Sequence, residues 1–465
     1  MTARQTLALR LAVVPLMALL AYAGAEAAAA PTPDEGFTRA FAIVAGTGLF
    51  VAAALVRPSW TITAGLVLSL FSSHWEKMDV PLDLDRMMLG VGVLSLLYRE
   101  WRHRDGRLQT RPVDWVLFVI ALYALVSAGL AGELDVRSSR FGLIDRFGLI
   151  PFILFFAAPF AFRTERDRRI LLAAIVGIGA YLSVTAVLET TGPEAVIVPH
   201  YITDDSVGIH ADRARGPFLD GAANGIALFG CGIAAVIAFG RWRDRRWRAF
   251  ALVVAGLCAL GVLLALTRVV WLSALIGAPV AMACARETRR FLVPAAGAAF
   301  VVIAVALAAV PGLREKVDDR TNDKQPVYDR RNSNSAALRM IDDRPLFGFG
   351  WGTFEEESKP YYRQAEEYPL TLVRDLHNVY LSNAVELGLV GTLLWMAALV
   401  YAIGGAIVRR GPPELRWWKI GLVAYAVGLA VSWTSNPADY ALPTLLLWLW
   451  AGVAWGGREH TAPAT

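Results

Sequence analysis

The sequence is poor in charge, cysteine and histidine, and these shortages exclude several classes of protein. Only 18% of its 465 residues are charged, against 56% hydrophobic residues, whereas a soluble domain carries about 25% charged residues. The three cysteines, Cys231, Cys258 and Cys284, all lie in apolar runs and indicate packing rather than a disulfide framework. The sequence also lacks a P-loop, a zinc-ligand spacing and a G-x-S-x-G elbow, so nucleotide hydrolysis and serine hydrolase chemistry lack support.

The sequence is rich in long runs of apolar residues. Runs of about twenty residues are long enough to cross roughly 30 Å of hydrocarbon as helices, and no internal repeat relates them. The sequence therefore predicts an all-α fold, a polytopic membrane helix bundle of about 12–14 transmembrane helices. The predicted spans are 5–24, 37–56, 59–72, 84–98, 113–131, 145–162, 168–190, 219–240, 248–266, 268–285, 291–310, 379–408, 416–434 and 438–456.

The positive charge follows the membrane topology. The net charge is +5, but the arginines fall in short loops between spans, such as "RWRDRRWR" and "RETRR". This is the positive-inside bias, so we expect a lipid bilayer and no nucleic acid as partner. With the N-terminus inside, the acidic connections and the long segment 311–377 lie outside. The spans 59–72 and 84–98 are short, and either one could be re-entrant.

This topology predicts five regions and leaves one alternative open at the N-terminus. The first span could instead be a cleaved signal peptide, because it has a basic start and a small-residue end. The regions are 1–36, a first span or signal anchor; 37–310, a membrane bundle; 311–377, a long outer loop with short helices; 378–456, C-terminal spans; and 457–465, a cytoplasmic tail.

Two outer connections, 191–218 and 311–377, are longer than a bundle needs, and two arginines on the predicted outer side are candidate site residues. Arg215 precedes a Gly-Pro turn, with Asn224 in the first turn of the next span. Arg268 interrupts almost forty residues without charge, a costly position in a membrane segment. Either arginine could hold a phosphate, or instead lie at the interface with its charge in the headgroups.

The end of the long connection contains a second set of candidates. The pattern "SNSAALRMI" predicts a short amphipathic helix that ends before Pro345, and Arg339 adds a hydrogen-bond donor. His377 and Asn378 follow at the start of a predicted span, and spacings of three and four put His377 on one face with Gly388 and Gly391. Glu386 would lie about 12 Å deeper along that helix. Taken alone, His377 could be a helix cap, and Glu386 a partner for a neighbouring span.

A metal site is a weaker hypothesis. Asp83 and Asp85 form a D-x-D pair on the predicted outer side, which could hold a divalent cation. Aspartate is also favoured in the first turn of a helix, and a span begins at this point. We therefore expect no metal and no cofactor.

The order of these motifs resembles the O-antigen ligase and polymerase superfamily. The matching features are R-G-x-F…N before a span, T-R at the start of another, and a long outer loop that runs into R-P-L-F-G-x-G…H-N-x-Y-L…E-x-G-L-x-G. The resemblance covers about residues 210–400. The matching residues are Arg215, Gly216, Phe218, Asn224, Thr267, Arg268, Pro345 to Gly350, His377, Asn378, Tyr380, Leu381, Glu386, Gly388 and Gly391.

The resemblance implies a bundle of the glycosyltransferase type C class and a metal-independent, inverting glycosyltransferase. It would move a glycan from an undecaprenyl-diphosphate-linked donor to an acceptor hydroxyl on the outer, periplasmic face of the bacterial inner membrane. Arg215 and Arg268 would bind the diphosphate and His377 would be the general base, with Arg339, Asn378, Asn224 and Glu386 in support.

Three alternatives remain open. A flippase would suit the number of spans, but it is disfavoured because the mid-span regions are nearly free of charge. A cell-wall glycan polymerase would use an outer-loop carboxylate, and a metal-dependent transferase would use Asp83 and Asp85. The acceptor is also open: a growing glycan, a lipid A core or a protein side chain.

Overall fold

The computed structural model describes residues 57–80, 83–103, 110–208, 212–365, 367, 369–370, 376–437 and 440–456. The predicted spans 5–24 and 37–56, the question of a cleaved first span and the predicted tail 457–465 lie outside these residues. In chain order the α-helices up to the long connection are α1 (Pro58–Leu68), α2 (Leu84–His103), α3 (Pro112–Leu130), α4 (Arg137–Phe141), α5 (Leu149–Ala161), α6 (Glu165–Thr191), α7 (Gly221–Arg241), α8 (Arg245–Leu264), α9 (Arg268–Cys284), α10 (Arg286–Arg289) and α11 (Leu292–Ala309).

The remaining helices belong to the long connection and to the C-terminal spans. They are α12 (Leu313–Asn322), α13 (Gln325–Asp343), α14 (Phe354–Glu357), α15 (Val379–Glu386), α16 (Gly388–Leu399), α17 (Gly405–Val408), α18 (Arg416–Ser432) and α19 (Ala441–Trp455). The described residues form no β-strand, and the predicted all-α class is confirmed.

Among the described residues, 7 helices are long and apolar enough to cross a membrane. They are Pro112–Leu130, Ser138–Ala161, Glu165–Thr191, Gly221–Arg241, Arg245–Leu264, Leu292–Ala309 and Gly388–Val408. Three shorter apolar helices accompany them, and the chain is a multi-pass membrane protein. The predicted span 145–162 begins earlier than expected, because α4 continues through a π-helical turn, Gly142–Phe147, towards α5.

Helix α19 forms the centre of the bundle. Every one of its 15 residues is buried, as expected of a helix surrounded by other helices on all sides. Trp448 packs edge-on against Phe152 at 4.7 Å between ring centroids. The indole N–H of Trp450 donates to the Trp418 carbonyl at 2.8 Å. The polar N–H of Trp450 is thus satisfied inside the apolar interior.

Side-chain caps begin several of the surrounding helices. Thr164, Asp220 and Asp244 each accept hydrogen bonds from the first-turn amides of α6, α7 and α8, which satisfies N–H groups that have no partner inside the helix. Small residues then allow close packing. A Cβ atom at Gly277 of α9 would lie 2.5 Å from the Ala424 carbonyl oxygen of α18, so only glycine permits this approach.

The two ends of the bundle differ in their contacts. At one end, ion pairs join the basic loops: Arg168 with Glu414, Arg241 with Glu165, and Arg416 with Glu287. At the other end, Arg320 of α12 pairs with Asp212, and Arg268 at the start of α9 donates to the Asp323 carbonyl at 2.7 Å. The predicted parity is therefore consistent with the fold, because the basic loops meet at one end and the long connection packs at the other.

Candidate active site

A cavity of about 710 Å³ lies at the end of the bundle that carries the long connection. Its lining comes from the starts of α7, α9 and α15, from α18 and α19, and from residues 351–355 of the long connection. The part formed by spans is mainly apolar and includes Trp395, Leu399, Leu429 and Trp448. The part formed by connections is polar and charged. A cavity of this kind can hold a ligand that is partly lipid and partly polar.

His377 lines the cavity, as its predicted role requires. The preceding residue, Leu376, is buried in a small apolar cluster with Met340 and Phe354. The following residue, Asn378, caps α15: its side chain accepts from the amides of Tyr380 and Leu381 at 3.1 and 3.2 Å. His377 is thus fixed by a buried neighbour on one side and a helix cap on the other.

The predicted continuous span 379–408 is wrong, because the helix is broken at Leu387–Gly388. Gly388 has φ +66°, which ends α15 and starts α16 in a new direction. His377 therefore does not share one helix face with Gly388 and Gly391. Glu386 is the last residue of α15, so it does not lie deeper along one continuous helix, as the sequence predicted. It is buried, with 8% of its surface exposed, and lines the same cavity as His377.

Four backbone hydrogen bonds join this break to the segment Pro345–Gly350, and we call the arrangement the backbone clamp. The amides of Phe349 and Gly350 donate to the carbonyls of Val385 and Glu386, both at 2.9 Å. On the far side of the break, the amides of residues 389 and 390 donate to the carbonyls of residues 345 and 346. In an unbroken helix these carbonyls and amides on the two sides of the break would bond to one another. The clamp supplies their hydrogen-bond partners instead.

Arg215 does not line the cavity. Its side chain is 2% exposed, and its guanidinium donates to the carbonyls of Val207 at 2.7 Å, Ile202 at 3.2 Å and Asp204 at 3.3 Å. These contacts hold the connection after α6 against the turn before α7. The Glu189 carboxylate accepts from the backbone amides of Arg215 and Gly216, at 3.2 Å and at 3.0–3.1 Å.

Asn224 also lies behind the cavity wall. It is fully buried, and its side-chain amide donates to the Ala214 carbonyl at 3.0 Å. Together Asn224, Glu189 and Arg215 fix the short segment 213–216. The structure thus gives the R-G-x-F…N motif contacts that position the backbone.

Arg213, two residues earlier, lines the cavity. Burial and, to a lesser degree, the charge of Arg320 lower its pKa from the ordinary arginine value. Arg330 of α13 also lines the cavity, and burial and the charge of Arg268 lower its pKa. Within the described part of the chain, the Nε atoms of Arg213 and Arg330 are buried without a hydrogen-bond partner. Two partly desolvated cations therefore face one cavity.

Arg268 itself does not line the cavity, but it lies close enough to Arg330 for its charge to act there. Thr267, the residue before it, lines the cavity, and one Nη of Arg268 donates to the Asp323 carbonyl. Its charge acts on Arg330, since it lowers the pKa of that residue. Arg339 lies elsewhere: it donates to the Tyr361 carbonyl at 2.8 Å and holds the long connection together. Of the predicted site residues, His377 and Glu386 line the cavity, and Thr267 next to Arg268 lines it as well. Arg215, Asn224 and Arg339 do not line it.

The D-x-D pair is engaged with protein groups. Asp83 pairs with Arg86, which also pairs with Asp145. Asp85 is 1% exposed and accepts from the indole N–H of Trp75 at 2.7 Å. Among the described residues, no three or more histidine, cysteine, aspartate or glutamate side chains are grouped so that they could hold a metal ion.

Several residues of the cavity were missed by the sequence analysis: Arg213, Arg330, His74 and Trp351. The ring of His74 lies 5.5 Å from that of Tyr201, and its Nε2 is 3.4 Å from the Phe218 carbonyl oxygen. Burial is the main cause that lowers the pKa of His74. The sequence does contain a signal for Arg213. The stretch "DRARG" has two arginines, and the motif alone does not indicate which of them faces the cavity.

The fold and the cavity define a multi-pass membrane protein with a partly polar site at one end of its bundle. Residues 253–396 match a family model described as O-antigen ligase. Over these residues the chain matches an O-antigen ligase domain, and the resemblance seen in its motifs is confirmed. The matched segment includes Arg268, Arg330, His377 and Glu386. No curated protein matches the chain.

Proposed function

We propose that the protein transfers a glycan from an undecaprenyl-diphosphate carrier to an acceptor hydroxyl at this cavity. One observation carries the proposal: His377, Glu386 and two partly desolvated arginines line a single cavity that is apolar where it enters the bundle. Three of these four residues, His377, Glu386 and Arg330, lie within the O-antigen ligase domain. The proposal places the protein in the bacterial inner membrane with the cavity on the periplasmic side.

Arg213 and Arg330 are the proposed diphosphate ligands, and Arg268 reinforces them. The leaving group is a lipid diphosphate, on which negative charge grows as the glycosidic bond breaks. Guanidinium groups bind phosphate oxygens through paired N–H groups, and they act most strongly where water is excluded. Arg215, given this role from the sequence, is proposed instead to hold the segment that presents Arg213.

His377 is the proposed general base. The acceptor hydroxyl oxygen attacks the anomeric carbon, the bond from that carbon to the diphosphate oxygen breaks, and the hydroxyl proton passes to His377. The diphosphate leaves with the bonding electron pair, stabilised by the arginines. Attack from the face opposite the leaving group inverts the anomeric configuration. The proposed transfer reaction balances without a metal ion or a nucleotide.

Transfer by the purified full-length protein in liposomes tests the proposal, with lipid-linked glycan from the host as donor. We expect activity that EDTA does not remove, and a loss of at least about 100-fold in His377→Ala, the range for removal of a general base. Arg213→Ala and Arg330→Ala should each raise the donor KM. Full activity in His377→Ala would exclude the base assignment, and donor movement across the bilayer without covalent transfer would favour a flippase.

The host's own acceptors decide the type of transferase. Longer glycan chains on the carrier identify a polymerase, transfer to lipid A core identifies a ligase, and transfer to protein identifies an oligosaccharyltransferase. Asp83→Asn with Asp85→Asn serves as the control for metal-dependent chemistry. We expect this double variant to keep its EDTA-insensitive activity as far as it folds, because both carboxylates contact protein groups.

A further inference from the structure

Trp351 presents an indole ring to the polar part of the cavity, and several contacts fix it there. Its indole N–H donates to the Ser139 carbonyl at 3.0 Å, and its backbone amide donates to the Ser127 hydroxyl oxygen at 3.2 Å. The ring of Phe147 packs edge-on at 4.9 Å between centroids. Because the N–H is already bonded, the ring offers the cavity mainly carbon surface.

The two neighbours of Trp351 make this placement possible. Gly350 and Gly352 have φ values of +112° and +87°, which side chains rarely allow. A Cβ atom at either would also lie within 2.6 Å of Ala131, in the connection that follows α3, or of Ser139, in α4. The glycines thus let the backbone lie directly on that connection, and the ring is preorganised.

Carboxylates and the proposed base line the same wall of the cavity. The backbone clamp joins Gly350 to Glu386, so Trp351 follows directly after a residue bonded to Glu386. Phe354 and Leu376 pack in one small cluster, and the residues that follow them, Glu355 and His377, both line the cavity. The arginines, by contrast, gather around Asp323 and the start of α9.

An aromatic face next to carboxylates suits one chemical class of ligand. A sugar ring has an apolar face of C–H groups, which packs on an aromatic ring, and a rim of hydroxyls, which donate to carboxylates. A lipid tail would not use the carboxylates, and a diphosphate would be repelled by them.

We propose that Trp351 and Glu355 form a sugar-binding subsite that holds the acceptor glycan against His377. This proposal rests on the proposed function for the role of His377, but the binding of a sugar at Trp351 does not depend on it. The acceptor is then a glycan end, either of a growing chain or of a lipid A core, and not a protein side chain.

Binding and transfer are measured separately so that the two proposals can fail separately. Saturation-transfer NMR on the full-length protein in nanodiscs uses two water-soluble probes: the glycan released by mild acid from the host's lipid-linked donor, and core oligosaccharide released from its lipopolysaccharide. We expect one of them to bind the wild type, and Trp351→Ala to weaken that binding about tenfold or more, as for a buried aromatic anchor. Trp351→Phe should retain most of the binding.

In the transfer assay, Trp351→Ala should raise the acceptor KM while the donor KM stays the same. Trp271→Ala is the matched control, because its indole N–H is also bonded to a carbonyl and it lies outside the cavity lining. Glu355→Gln, which preserves size, should raise the acceptor KM as well and gives a readout if Trp351→Ala does not fold.

The subsite is excluded if neither probe binds the wild type, or if Trp351→Ala and Glu355→Gln leave the acceptor KM and the probe affinity unchanged in a protein that transfers glycan. The subsite stands and the proposed transferase function fails if a probe binds in a Trp351-dependent way but no glycan is transferred. Transfer to protein alone, with neither probe bound, also contradicts the subsite.

Discussion

Arg213 and Arg215 are two residues apart in one segment, yet their guanidinium groups lie in different surroundings. Arg215 donates to three backbone carbonyls behind the cavity, whereas Arg213 lines the cavity. Within the described part of the chain, the Nε atoms of both are buried without a hydrogen-bond partner, so the two arginines differ in their Nη contacts and in their position at the cavity. A buried arginine that satisfies carbonyls is a structural group, because its removal leaves those carbonyls desolvated and unpaired. The two positions should therefore respond differently to the same substitution.

Lysine at each position tests this difference. Arg215→Lys should destabilise the protein by about 2–4 kcal/mol, because a single ammonium nitrogen cannot occupy the positions of both Nη atoms and the buried charge loses partners. Arg213→Lys should keep most of the stability and raise the donor KM. Thermal unfolding in detergent, paired with donor titrations, checks both. Equal loss of stability with no change in donor KM would contradict the assignment of Arg213.

His74 gives a prediction about pH. Burial, with a smaller contribution from Lys77, lowers its pKa from 6.5, so the folded state binds this proton more weakly than the unfolded state. Stability contributed by neutral His74 is then intact above about pH 6.5 and falls as the pH drops below it. We expect the melting temperature of the wild type to fall more between pH 7 and 5 than that of His74→Asn. Parallel curves for the two proteins would contradict this.

These residues also show what the sequence can and cannot predict. The placement of His377 in a site, together with its capping neighbour Asn378, follows from a motif that local physics explains. The placement of Arg213 rather than Arg215 at the cavity does not, because it depends on which carbonyls of residues 202–207 come within reach of each side chain. Side-chain direction in an irregular segment is decided by tertiary contacts, not by spacing.

The break between α15 and α16 is the element that most changes the predicted site. Its sequence, "NAVELGLVG", contains no proline, and an isolated glycine such as Gly388 or Gly391 in an apolar run is compatible with a continuous helix. The break depends on hydrogen bonds from a segment about forty residues earlier in the chain. Long apolar runs therefore predicted the positions of most helices in the described part of the chain, while this interruption could not be read from periodicity.

Gly388→Ala tests the break. The position has φ +66°, and a Cβ atom would collide with the Leu346 carbonyl. We expect a cost of about 2 kcal/mol or more, because the left-handed conformation alone costs roughly 1–2 kcal/mol for a residue with a side chain. Activity should fall further, since Glu386 and Trp351 are both held at this point.

Gly177→Ala is the matched control, because nothing lies within 4 Å of a Cβ atom there and its backbone is helical. It should leave activity unchanged and stability equal or slightly higher. A Gly388→Ala protein as stable and active as this control would show that the clamp does not set the direction of α16.

For the whole molecule, the distribution of ion pairs predicts orientation. The basic loops meet at one end and the long connection packs at the other. In a background with Cys284→Ser, we expect Lys324→Cys to react with a membrane-impermeant maleimide added outside intact spheroplasts. Arg243→Cys should react only after the membrane is opened. Both parent side chains are exposed, and the reverse pattern would place the cavity on the cytoplasmic side.

The backbone clamp has a consequence for engineering altered specificity. The end of the long connection is hydrogen-bonded into a transmembrane helix on both sides of its break, so the extramembrane segment and the following span are one unit. A chimera joined at residue 377, where the sequence turns apolar, would combine the segment Pro345–Gly350 of one protein with the α15–α16 break of another. Exchanges between homologues should therefore place their downstream junction beyond residue 391, so that the clamp and the break come from the same protein.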